Sequence, residues 1–110
     1  MKKEKVSAGE AIMHAGALRY QKGSIVSQQI TKKSTGTITL FAFDRNQGLS
    51  EHTAPFDAVV YIIDGTAEIT ISGKRHVVKK DDYIVLPAHK PHALQAIEKF
   101  KMMLIMIKSK

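Results

Sequence analysis

From Gly23 onward the chain never runs far before a turn interrupts it. Short apolar or β-branched stretches are punctuated by turn residues roughly every ten positions, the spacing of a sandwich or barrel of short strands. Residues 36–43 (GTITLFAF) alternate apolar and polar in period two and stop at the turn 44–48 (DRNQG). Residues 57–63 (DAVVYII) are apolar after the first, which fits a strand covered on both faces. Asp64-Gly65 is a hairpin-turn pair, residues 67–71 (AEITI) alternate again, and Ser72-Gly73 reverses the chain once more. Segments 75–78, 83–86 and 92–97 follow. Pro87 and Pro91 bracket the loop between the last two, because proline cannot donate to a ladder. Residues 25–31 (IVSQQIT) open the series and 100–107 (FKMMLIMI) close it. The pattern predicts an all-β fold of about eight or nine strands. No segment long enough for a crossover helix separates them, which argues against a parallel α/β fold.

With 110 residues, the chain has material for one domain and one modest core. Residues 1–22 are weakly patterned and are expected to pack as an N-terminal segment on a barrel formed by residues 23–110. Within that segment, residues 7–18 are alanine-rich and weakly helical, with Gly9 and Gly16 opposing a helix. An apolar content of 44% and a charged content of 25% are ordinary for a globular chain and do not suggest disorder. Cysteine is absent, which removes disulfides, thiolate metal sites and cysteine nucleophiles. The apolar runs fall far short of the ~18 residues of a membrane span, and the opening residues have no signal-peptide core, so a soluble cytoplasmic protein is expected.

The net charge of +7 raises nucleic acid as a partner. The cations, however, are dispersed in pairs such as Lys2-Lys3, Lys32-Lys33, Lys74-Arg75 and Lys79-Lys80, beside turns or near the ends. That is the distribution of solvated loop ends, and nucleic acid is not expected. Residues 100–107 are apolar on both faces, so the strand is either central or sealed by a second copy, and a homodimer is expected.

Of the five histidines, His14 lies in the weakly patterned segment and His76 in a lysine-rich hairpin. His52 and His92 differ: each is expected to open a strand just after a turn or proline loop, where a closed β-structure can bring them to one mouth. Two converging imidazoles suit a divalent metal completed by water, or a hydrogen-bonded ligand. Neither belongs to an i,i+2 or i,i+4 histidine pair.

Two segments carry a family resemblance. Residues 48–65, GLSEHTAPFDAVVYIIDG, resemble the first cupin motif, and residues 81–92, DDYIVLPAHKPH, resemble the second, with 15 residues between Gly65 and Asp81. The resemblance implies an antiparallel double-sheet β-barrel, or jelly roll. It places the family's first metal histidine on His52 and its last on His92. Its second histidine falls on Ala54 and its glutamate on Ala58, neither of which can ligate, and two motif glycines fall on Asp81 and His89. Two of four expected ligands survive. His89, Gln95 and a displaced Asp57 are the candidates for a third. The cofactor implied is therefore one divalent ion held by His52 and His92, or none.

The pocket read from strand alternation contains His52, Phe56, Val60, Ile62, His92 and Leu94. The expected function is binding of a small organic ligand inside the barrel. The alternative is a metal-dependent oxygenase or isomerase acting on a small organic substrate. No serine triad and no phosphate-cradling glycine loop is present to support another chemistry.

Overall fold

The computed structural model describes residues 2–4, 9, 11 and 18–108. Among them the chain forms β1 (Lys2–Glu4), β2 (Ile25–Lys33), β3 (Gly36–Phe43), β4 (Gly48–His52), β5 (Ala58–Asp64), β6 (Thr66–Ile71), β7 (Lys74–Lys79), β8 (Tyr83–Leu86), β9 (His92–Ala96) and β10 (Phe100–Ile107). They make two sheets, ordered β1-β2-β3-β10-β5-β8 and β4-β9-β6-β7. Every pairing is antiparallel except that of β1 with β2, which is parallel and was not anticipated. The result is the jelly-roll arrangement of two facing sheets, although the sheets do not close on each other. No helix long and apolar enough to cross a membrane occurs among the described residues. His14 and most of residues 7–18 lie outside those described.

The core lies between the sheets and follows the period-two pattern. β5 contributes buried Ala58, Val60 and Ile62, β6 contributes Ala67 and Ile69, and β9 contributes Leu94 and Ala96. Phe43 and Phe100 stack with ring centroids 4.5 Å apart at one end of this core. The other face of the six-stranded sheet carries a second cluster of Leu18, Val26, Leu40 and Ala42, with Tyr20, Ile63 and Met103 packed against it. Tyr20 donates its phenol proton to Asp64 across 2.6 Å, and the ammonium groups of Lys99 and Lys101 each sit 4.8 Å from its ring centre. Burial, reinforced by the Asp64 carboxylate, raises that phenol's pKa well above the usual tyrosine value.

Two local expectations need correction. Asp64-Gly65 is a corner rather than a hairpin, because β5 and β6 belong to different sheets. Gly65 has φ +76°, and a Cβ there would overlap the Lys99 carbonyl oxygen, so both the dihedral and the space demand glycine. Of these two turns the hairpin is β6–β7, reversed by Ser72 and Gly73 at φ 49° and 81°. The second correction concerns β4, a strand that the apolar pattern did not signal. Its sequence GLSEH has one large apolar residue, and it lies at a sheet edge where polar side chains meet water. His52 accordingly ends a strand instead of opening one.

Candidate functional site

The site begins with a register irregularity. In the β4–β9 ladder Leu49 faces Leu94 and His52 faces His92. Three steps along β4 thus match two along β9, so β4 holds one extra residue. Without it, alternation would turn His52 away from the face that Leu49 occupies. The bulge puts both on the inner side, where His92 and Leu94 already point.

The two imidazoles meet there. His52 Nε2 and His92 Nε2 are 3.1 Å apart, and the rings pack edge to face with centroids 4.3 Å apart. Each Nδ1 faces a backbone carbonyl two residues earlier, Ser50 O at 2.7 Å for His52 and Lys90 O at 3.2 Å for His92. Carbonyl oxygens only accept, so a ring that donates from Nδ1 presents a lone pair at Nε2, and the Nε2–Nε2 contact is a hydrogen bond in which the other ring's Nε2 carries the proton. Burial lowers the His92 pKa below the ordinary imidazole value, the nearby His52 adds to this, and the Lys90 carbonyl opposes it.

The pair opens on a cavity of about 150 Å³. Val60 and Leu94, both expected in the pocket, share its wall with His52 and His92, as do Ala54 and Ala58. Ile62 is fully buried in the core but is not on this wall, and Phe56 lies outside it with the Lys108 ammonium 5.7 Å from its ring centre. β10 supplies wall residues that sequence reasoning did not single out: Met102, Leu104 and Met106. Their period-two spacing was visible, but with both strand faces apolar nothing in the sequence said which one faced the histidines.

The mouth is held by hydrogen bonds between two loops. Asp57 Oδ1 accepts the Ala88 N–H at 2.7 Å, and the His89 N–H donates to the Ala54 carbonyl at 2.7 Å. Asp81 and His89, which occupy glycine positions of the motifs, both keep a left-handed backbone, at φ 72° and 65°. The glycine has gone while the conformation that favours it remains.

None of the three candidate third ligands is on the cavity wall. Asp57 is committed to the loop contact, His89 is exposed at the loop, and Gln95 lines a groove on the outer side of the four-stranded sheet. Among the described residues no group of three or more His, Cys, Asp or Glu side chains gathers as a metal site. A resident divalent ion ordinarily takes at least three protein donors, commonly with a carboxylate among them. Two imidazoles on an apolar wall do not fit that requirement.

Comparison with known proteins places this architecture. Residues 39–108 match the family model of the cupin domain. A conserved protein of unknown function from Streptococcus pyogenes is 30% identical, with 100% of this chain and 96% of that one covered and a TM-score of 0.89. A cupin superfamily protein from Desulfitobacterium hafniense is 24% identical, covering 96% and 97% of the two chains at a TM-score of 0.86. A cupin 2 conserved barrel domain protein from Leptotrichia buccalis is 40% identical over 86% of this chain and 46% of its own, with a TM-score of 0.82. No curated protein matches the chain. The family match over most of the sequence, the two facing sheets and the motif histidines brought to one cavity agree: the chain belongs to the cupin family.

Proposed function

We propose that this cupin binds a small organic molecule between its sheets, with the His52–His92 pair as the polar anchor. One observation carries the proposal: among the described residues, the two imidazoles are the only polar side chains on an otherwise apolar cavity wall. Such a site favours a ligand with an apolar body and one hydrogen-bonding head. A cavity of about 150 Å³ takes a molecule of roughly benzene size. Because one Nε2 of the pair accepts and the other donates, the favoured head is a group that can do both, such as a hydroxyl or an undissociated acid. With only two protein donors, nothing in the wall favours a metal-dependent oxygenase or isomerase over this reading. The proposal includes a homodimer formed through the outer face of the six-stranded sheet.

The test is a thermal-shift screen of benzene-sized phenols, alcohols and acids, each beside its fully apolar analogue. A ligand at a hundred times its Kd adds about 2.7 kcal/mol of stability, on the order of 10 °C in a domain this small. Shifts of that kind in the native protein, reduced in His92→Ala and abolished by the cavity-filling Ala54→Leu, support the proposal. Equal shifts in Ala54→Leu would sink it, because the ligand would then be binding elsewhere.

A further inference from the structure

We infer that the outer face of the four-stranded sheet carries a second binding site, a groove that takes a neutral saccharide unit. The site is separate from the histidine cavity, and the inference does not rest on the ligand proposed there. The groove holds about 470 Å³, against about 150 Å³ for the cavity, and falls in the size range of small-molecule sites. Strand register builds it. Gly48, Gln95 and Glu68 lie side by side across β4, β9 and β6, and Ala93 lies beside Thr70 in the next row. These five and Ser50 line the groove. Leu49, Ile69 and Leu94, which alternate with them along the strands, pack into the core.

The lining differs from an ordinary solvated sheet face, over which long charged side chains lie. Among the described residues, none of the chain's 17 lysine and arginine side chains lines the groove. Gly48 and Ala93 carry little or no side chain, which leaves the floor low between the polar groups. A Cβ at Gly48 would lie 2.6 Å from Gln95 Oε1, so the Gln95 carboxamide rests against the glycine. Among the described residues no hydrogen bond takes up that carboxamide or the hydroxyls of Ser50 and Thr70.

Charge and hydrogen bonding select the ligand. Among the described residues Glu68 is the one charged side chain on the wall, and Arg75 Nη1 lies 3.8 Å from its Oε2. The pair leaves the groove nearly neutral while the carboxylate oxygens still accept hydrogen bonds, so neither an anion nor a cation gains an unopposed partner. The hydroxyls and the carboxamide both donate and accept. Neighbouring strands set these groups about 4.8 Å apart, and a sugar ring, whose hydroxyls each donate and accept, meets several of them at once. No aromatic ring lines the groove among the described residues, so affinity rests on a few hydrogen bonds and a Kd of about 1 mM is expected.

The experiment follows amide NMR spectra of the isotopically labelled full chain. Glucose, galactose, N-acetylglucosamine and maltotriose are titrated beside two charged counterparts, glucosamine and glucuronate. At least one neutral sugar should shift the amides of β4, β6 and β9 that border the groove, with little dependence on salt. Tighter binding of maltotriose than of glucose identifies a saccharide chain as the source, and equal binding a free sugar; either outcome supports the site. Thr70→Val and Gln95→Ala should each weaken binding about fivefold, the loss of one net hydrogen bond. Both side chains face outward, so the fold should survive, as a thermal melt will show, and Ser50→Ala carries the test should either variant melt early. Ala54→Leu, which fills the histidine cavity, should leave sugar binding unchanged, so the two sites fail or stand separately. The inference is overturned if no sugar shifts these amides at ten times the expected Kd. Tighter binding of the charged counterparts than of the neutral sugars, or unchanged binding in the variants, overturns it equally.

Discussion

At the scale of single residues, His92 couples the site to pH. Burial and the neighbouring His52 depress its pKa in the folded protein. The folded state then binds fewer protons at this position than the unfolded state, so stability rises with pH in this range. The contribution is fully present above the unfolded imidazole value of about 6.5 and is lost as pH falls through the lower folded value. Urea midpoints measured between pH 7 and pH 5 should therefore decline, above the range in which the carboxylates titrate. His92→Leu should flatten that part of the curve. A native profile that is level from pH 7 to 5 would remove His92 as a titrating element of the fold.

At the scale of elements, the corners and turns between strands separate dihedral strain from steric exclusion. Gly65 and Gly73 both have positive φ, at 76° and 81°. Nothing lies within 4 Å of a Cβ at Gly73, whereas one at Gly65 would run into the backbone of Lys99 and Phe100. Gly73→Ala should cost about 1 kcal/mol from the dihedral alone. Gly65→Ala should cost about 3 kcal/mol, because backbone must move as well and the corner joining the two sheets is displaced. Denaturant unfolding of the two variants checks the contrast, and equal losses would show that the corner yields easily. The bulge in β4 belongs to the same scale. One inserted residue in a polar edge strand turns His52 inward, a strand-level decision on which the site depends.

At the scale of the whole molecule, the outer face of the six-stranded sheet is only partly covered. Leu18 and Tyr20 pack near β2 and β3, while Tyr83, Val85 and Ile107 remain 70%, 46% and 66% exposed. Tyr83 and Val85 lie on β8, an outermost strand whose backbone is paired on one side. Exposed apolar side chains beside an open edge are what a second copy would cover in a two-fold dimer. For the proposed homodimer, light scattering at micromolar concentration should give twice the chain mass. Tyr83→Glu with Val85→Glu should return the monomer without loss of fold, since both side chains already face water. A native chain of monomer mass would count against the assembly.

Much of this molecule was legible before any coordinates. The turn spacing marked all the strands from β5 to β10 and both β2 and β3, because a strand buried on at least one face must repeat in period two or run apolar throughout. The motif resemblance added the jelly-roll arrangement and put the family's metal-histidine positions on His52 and His92, which their places beside turns had already set apart. The polar edge strand β4 left no such trace, since edge residues facing water are under no hydrophobic constraint. The corner at Gly65 read as a hairpin because both turns ask for the same residues locally and differ only in where the next strand pairs. The sequence by itself determined the strand alphabet, the absence of cysteine chemistry and the loss of two family ligands at Ala54 and Ala58. Only the tertiary structure decided which face of β10 meets the histidines, that Met102 and Met106 share their cavity, and that the two Nε2 atoms lie 3.1 Å apart. Those facts depend on register between strands remote in sequence, and register is set by packing across the whole sheet.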